Sequence, residues 1–278
     1  MSSTDTHTRN AAPIEDTRSN RTTQVSELKH NQFVLTTLVG KDFKRKYRRS
    51  ILGVAWSVLN PLLMMVVLTA VFSYMFRFSI DHYPLYLILG QTMFAMMQNG
   101  TTEGMQSIIN AAPMIKKIKI EKMIFPLEKV LFELVNFAIS LVAVIAVALV
   151  LRVWPDINWL FLPLLLVYVT VFSMGLAMLL SALAVFFRDI IHLWGVVCLA
   201  WMYATPIFYP VDMLPAWMLT VEKFNPMYQY ITYFRNIFMW HTTPSLKINL
   251  VCLGMALLSF GVGFLAFRKS ERKFILYV

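Results

Sequence analysis

Apolar residues along this chain come in long unbroken runs, not in the alternation of a half-buried strand or the spaced stripe of a soluble amphipathic helix. Six runs carry no Asp, Glu, Lys or Arg: Ser50–Phe76, Tyr83–Thr102, Leu134–Leu151, Ile157–Phe187, Ile190–Val211 and Ile248–Phe267. A helix needs about 20 residues to cross a ~30 Å hydrocarbon layer, so the pattern predicts an all-α membrane protein with six transmembrane helices. A barrel does not fit, because barrel strands alternate over about ten residues and these runs are apolar all round.

Between the runs, most connections are short and predict tight antiparallel hairpins. Two are different. Ile108 to Phe125 is basic, with Lys116, Lys117, Lys119 and Lys122 alternating with Ile115, Ile118 and Ile120. Asp212 to Lys247 is long and aromatic, and Pro215 and Pro226 break it into short helices. It is too short for two spans and its prolines forbid one clean span, which predicts a re-entrant helical segment between spans five and six. Ahead of the first run, residues 28–49 interleave Phe33, Leu35, Leu38, Phe43 and Tyr47 with cations, the pattern of an amphipathic interface helix. Three units follow: a polar, disordered tail over 1–27, the interface helix over 28–49, and a six-span membrane domain over 50–278. The tail has no apolar stretch, so no cleavable signal peptide is expected.

Composition agrees with the pattern. Of 278 residues, 58% are hydrophobic and 14% charged, with mean hydropathy +0.61. Soluble domains run at roughly 45–50% and about 25%, so a water-soluble fold is excluded. The net charge of +10 therefore reads as topology, and no nucleic-acid partner is expected. One side of the membrane would hold Lys41, Lys44, Arg45, Lys46, Arg48, Arg49, Lys116, Lys117, Lys119, Lys122, Arg188, Arg268, Lys269, Arg272 and Lys273. The other would hold only Arg77, Arg152, Lys223, Arg235 and Lys247. That asymmetry predicts a multi-pass protein with both termini cytoplasmic, in a bacterial or organellar membrane.

Candidate chemistry is sparse. Cys198 and Cys252 both fall inside apolar runs and read as small core residues. No histidine lies mid-span and no pair has metal-ligand spacing, so no metal site is expected. Gly40-Lys41 is followed by Asp42 and lacks the upstream glycine of a nucleotide loop, so this chain is not an ATPase. Glu103 and Glu133 sit toward span ends, with Glu133 placed to pair with a basic neighbour. Gly100-x-x-x-Gly104 offers close helix packing.

The segment Lys41-Asp42-Phe43-Lys44-Arg45-Lys46-Tyr47-Arg48-Arg49-Ser50-Ile51-Leu52-Gly53-Val54-Ala55-Trp56, followed by Asn60-Pro61-Leu62, resembles the N-terminal signature of the polysaccharide-exporting type 2 ABC transporter permeases. Pro113-Met114-Ile115-Lys116-Lys117, Phe125-Pro126-Leu127, Phe187-Arg188-Asp189-Ile190, Thr205-Pro206-Ile207-Phe208-Tyr209-Pro210, Phe224-Asn225-Pro226-Met227 and Phe274-Ile275-Leu276-Tyr277 are similar to that family's later motifs. The resemblance covers Leu28 to Val278 and leaves the polar tail unexplained.

It implies the transmembrane half of an exporter in a bacterial plasma membrane. Such a subunit works as a homodimer with two copies of a cytosolic ABC ATPase, which uses ATP and Mg while this chain binds no cofactor. The substrate would be a lipid-linked polysaccharide: O-antigen, capsule or teichoic acid on a polyprenyl diphosphate. Pro113, Met114, Ile115, Lys116, Lys117 and Ile118 would form the coupling helix seated in the ATPase. Lys44, Arg45, Arg48 and Arg49 would receive the diphosphate headgroup, since an Arg fork pairs bidentately with phosphate. Phe72, Tyr74, Trp201, Tyr203 and Tyr209 would line the translocation path. A drug or small-lipid exporter of the same fold is an alternative. A membrane-embedded transferase is another, although it should show clustered carboxylates or histidines at a membrane face.

Overall fold

The computed structural model describes residues 32–48, 50–76, 80–117 and 120–277. Residues 1–27 of the expected tail, the first turn of the expected interface helix, Arg49, Ile118 and the side chain of Tyr74 lie outside that set. Among the described residues every regular element is helical. They are α1 (32–47), α2 (Trp56–Phe76), α3 (Tyr83–Asn110), α4 (Ala112–Ile115), α5 (Ile124–Val150), α6 (Leu162–Phe186), α7 (Ile190–Ala204), α8 (Ala216–Glu222), α9 (Pro226–Phe238), α10 (Leu246–Ser270) and α11 (Phe274–Tyr277).

Among the described residues, four stretches are long and apolar enough to cross a membrane: Gly53–Ser73, Ile124–Val150, Ile157–Phe186 and Leu246–Ser270. The other two expected spans depart from that standard for different reasons. At 28 residues α3 has the length, but Gln91, Gln98, Asn99, Glu103 and Gln106 dilute its hydropathy. The run Ile190–Val211, expected as one helix, is helical only to Ala204. Its 15 residues rise about 22 Å, short of a ~30 Å core. Pro206 stops it, because proline has no N–H to continue the ladder and disfavours helix in the residue before it.

The bundle has a basic end, carrying α1, α4 and α11, and an aromatic end, carrying α8 and α9. Between the ends, α6 and α10 form the most extensive helix pair, followed by α3 and α5. Small residues permit both contacts, as expected where packing rather than the hydrophobic effect holds apolar helices together. A Cβ on Gly263 would run into the carbonyl oxygen of Gly175, so the two backbones touch. Ser259 Oγ adds a hydrogen bond to the Phe172 carbonyl across the same crossing, at 2.9 Å. The Gly100-x-x-x-Gly104 pattern serves two partners: Gly100 faces Val130 of α5, and Gly104 faces Ala177 of α6.

A sharp turn joins α1 to α2. Gly53 has φ +47°, a left-handed conformation that costs any residue with a Cβ. Ser50 Oγ accepts a hydrogen bond from Gly53 N at 3.1 Å and fixes the turn. By contrast with the buried α3, α2 packs one half-buried face on the bundle, through Val58, Leu62, Leu68 and Phe72, and leaves the other exposed.

Candidate functional site

Three helical stripes and the end of α1 converge on a polar cavity of about 440 Å³ toward the basic end. Trp56, Ser57, Asn60 and Pro61 come from the first turns of α2. Gln91, Ala95 and Asn99, four residues apart, come from one face of α3, and Glu133, Asn136, Phe137 and Ser140 from one face of α5. Lys46 and Tyr47 close it from α1.

Part of this lining is already committed. Lys46 Nζ lies 3.4 Å from Glu133 Oε1. Asn136 Nδ2 donates to the same oxygen at 2.9 Å, and Asn136 Oδ1 accepts from Tyr47 Oη at 2.9 Å. Tyr47 also bonds Ser57 of α2. One network therefore ties α1, α2 and α5 together. Just outside it Lys129 is hydrogen-bonded to Asp42 and lies 3.2 Å from Glu128, a second tie between α1 and α5. Thr92 and Ser140 are spent on carbonyls of their own helices, whereas Asn60, Gln91 and Asn99 make no side-chain hydrogen bond among the described residues.

The aromatic end holds a second polar construction. Non-helical backbone follows α7, with Thr205 to Phe208 buried, and its carbonyls find side chains in place of a helix ladder. Arg235 of α9, 1% exposed, donates to the carbonyls of Pro206 at 2.9 Å and Ile207 at 3.2 Å, and to that of Tyr86 at 3.2 Å. Tyr86 Oη donates to Pro206 and Tyr209, and Tyr83 Oη to Phe208 at 2.6 Å. The Arg235 guanidinium also stacks 3.3 Å from the centre of the Tyr86 ring, and Gly90 leaves room for it. Four successive carbonyls are thus satisfied, which allows irregular backbone in an apolar surround.

Asn225 fastens α9 to its neighbours. Its Oδ1 caps Met227 N at 3.1 Å and accepts from Trp201 Nε1 at 2.8 Å. Its Nδ2 donates to Thr205 Oγ1 at 2.9 Å and Glu222 Oε2 at 2.8 Å. Burial of Glu222 raises the pKa of its carboxyl, and the Asn225 hydrogen bond opposes that shift.

The residues singled out from sequence are scattered across these features. Lys44, Arg45 and Arg48 are exposed on α1, with Arg45 3.4 Å from Asp42. In the coupling segment, Met114 and Ile115 pack onto a cluster of this chain's own residues, including Phe125, Phe267 and Phe274. Pro113, Lys116 and Lys117 are the parts left exposed. Phe72 stacks on Phe208 at 5.6 Å, and Tyr203, 55% exposed, lies 5.5 Å from the same ring. Tyr209 turns back to donate to the carbonyls of Tyr203 and Ala204. Trp201 points inward, among Phe94, Phe172 and Trp194. Among the described residues no group of three or more His, Cys, Asp or Glu side chains could hold a metal ion.

Sequence reasoning missed the cavity because it weighed only charge. Asn60, Gln91, Asn99 and Asn136 are amides inside or beside charge-free runs, and they were the available signal.

Residues 34–239 match the family described as ABC-2 type transporter. The chain is 29% identical over 242 residues to the O-antigen export system permease protein RfbA of Klebsiella pneumoniae, covering 87% of this chain and 93% of the relative. A second K. pneumoniae protein of that description is 30% identical over 207 residues, covering 74% and 80% of the two chains. The capsule polysaccharide export inner-membrane protein CtrC of Neisseria meningitidis serogroup B is 22% identical over 191 residues, covering 66% and 70%. With the family match spanning most of the chain, and with several helices apolar enough to cross a membrane, this protein belongs to the ABC-2 type transporter family.

Proposed function

We propose that the chain is the transmembrane subunit of a polysaccharide exporter, moving a lipid-linked glycan from the cytoplasm to the outer side of a bacterial plasma membrane. The observation that carries this is the near end-to-end similarity to a permease of O-antigen export, supported by the likeness to a capsule exporter. In this reading α2, α3, α5, α6, α7 and α10 are the six spans. The α7 crossing is completed by the Arg235-bound stretch after Ala204. The basic end faces the cytoplasm, because cations gather there. Two copies pair, with the exposed faces of α2 and α7 toward the path. Two cytosolic ATPase subunits dock beneath, where exposed Lys116 and Lys117 beside Pro113 offer the contact. Lys44, Arg45, Arg48 and Arg49 receive the diphosphate, and Tyr203 with Phe72 borders the outer path.

Deleting the chain's gene together with that of its cognate ATPase, then restoring the two singly and together, tests this reading. Surface glycan should vanish on deletion, with lipid-linked glycan accumulating inside, and should return only when both subunits are supplied. Normal surface glycan in the deletion strain would overturn it.

A further inference from the structure

We propose that the cavity between α1, α2, α3 and α5 binds a neutral, hydroxyl-rich sugar unit of the transported glycan; this rests on the export reading above. The first argument is chemical vacancy. Asn60, Gln91 and Asn99 line the cavity, the first and last exposed and Gln91 half-buried, and among the described residues none of the three spends its side-chain amide on a hydrogen bond. An amide presents a donor pair and an acceptor side by side, which matches a hydroxyl that must both give and take a hydrogen bond. Amides that no protein group uses, gathered on the walls of one cavity, are free to take up a ligand.

Charge selects the class. Lys46 is the one cation among the lining residues, and Glu133 at 3.4 Å neutralises it. A phosphate placed here would meet the Glu133 carboxylate and no spare cation, so the site suits an uncharged group. Cations with exposed side chains stand one turn away on α1 at Lys44, Arg45 and Arg48. A diphosphate held by them would set the first sugar against the cavity. Size and shape agree as well. About 440 Å³ falls within the ~300–1,000 Å³ of small-molecule sites. Trp56 and Phe137 supply apolar faces for the ring carbons, between the amides that would orient its hydroxyls.

The test uses whole cells that make their own surface glycan. The photoreactive residue benzoylphenylalanine is placed at Asn60, at Asn99 and, as a control, at Leu257, which is 56% exposed on α10. After irradiation the chain is purified under denaturing conditions, and bound carbohydrate is read by periodate oxidation and hydrazide labelling. Labelling at Asn60 and Asn99 should exceed that at Leu257 and disappear in cells blocked before the first lipid-linked sugar. Equal labelling at all three positions, or adducts containing phospholipid without sugar, would overturn the assignment. Gln91→Leu, which adds no bulk, provides a second measure: export should fall about tenfold, the worth of one or two hydrogen bonds, with membrane yield unchanged. Full export by Gln91→Leu would count against the site. If deleting the gene abolishes surface glycan while no sugar adduct forms, export stands and the cavity assignment falls. If deletion leaves surface glycan intact, both fall.

Discussion

Arg235 makes the aromatic end depend on single atoms. A Cβ added at Gly90 would lie 2.8 Å from Arg235 Nη2 and 3.1 Å from Ile207 Cγ2, against a guanidinium already fixed by three carbonyls. Gly90→Ala should therefore cost about 1–3 kcal/mol by overpacking. Removing the guanidinium is more severe: in Arg235→Leu the Ile207 carbonyl loses its side-chain donor, at about 1–3 kcal/mol for that group alone. Thermal unfolding of the purified protein in detergent should rank Arg235→Leu below Gly90→Ala, and both below the parent. At the basic end the ion pairs divide by exposure. Lys129 and Asp42 are nearly covered, whereas the Arg45 side chain is 74% exposed and its pair with Asp42 is worth ~0–1 kcal/mol. Lys129→Met should raise hydrogen exchange of the α1 amides severalfold, and Arg45→Met should leave it nearly unchanged.

At the level of elements, helices meet where glycine removes the side chain between them, and the same chain supplies its own controls. Gly175 and Gly263 touch backbone, whereas a Cβ on Gly254 or Gly261 of the same α10 would meet nothing within 4 Å. Gly263→Ala should push α6 and α10 apart, costing about 1–3 kcal/mol or more. Gly261→Ala, by contrast, should stabilise slightly through its better helix propensity. Membrane yield and melting temperature of the two variants check the contrast. The cap of α9 gives a prediction of opposite chemistry. Asn225→Asp would replace an amide donor by an oxygen facing Glu222 Oε2 and Thr205. Because burial already raises the Glu222 pKa, this carboxyl stabilises the fold most when protonated, and that contribution is lost as pH rises through its folded pKa. The Asn225→Asp defect should accordingly deepen from mildly acid to neutral pH, while Asn225→Ala should lose about 1 kcal/mol of capping.

Across the whole molecule, the parts legible in the sequence were those written in charge and hydropathy. The run from Phe33 to Tyr47 and the long apolar runs announced α1 and the helices of the bundle. Pro215 and Pro226 marked where α8 and α9 begin. The cavity was hidden because its amides come from three runs far apart in the chain, and only packing brings their stripes together. The end of α7 was misjudged for a related reason: Thr205 to Pro210 is apolar enough to read as helix, but its backbone is held by side chains from α3 and α9. Pairing of two copies should also be visible at this scale. Native Cys198 and Cys252 are buried at 1% and 0% exposure, so cysteines introduced at exposed Val67 and Val196 would be the reactive ones. Oxidation in native membranes should yield a dimer from Val67→Cys or Val196→Cys. The clasp after α7 carries one more consequence, for mutational tolerance. A carbonyl oxygen is the same whichever residue bears it, so the grip on Pro206 to Tyr209 is blind to the side chains being held. The donors enjoy no such anonymity, because no other side chain reaches several acceptors with a planar fork. Saturation mutagenesis should therefore be lopsided: Ile207 and Phe208 should accept several apolar replacements, while Arg235 and Tyr86 should accept almost none.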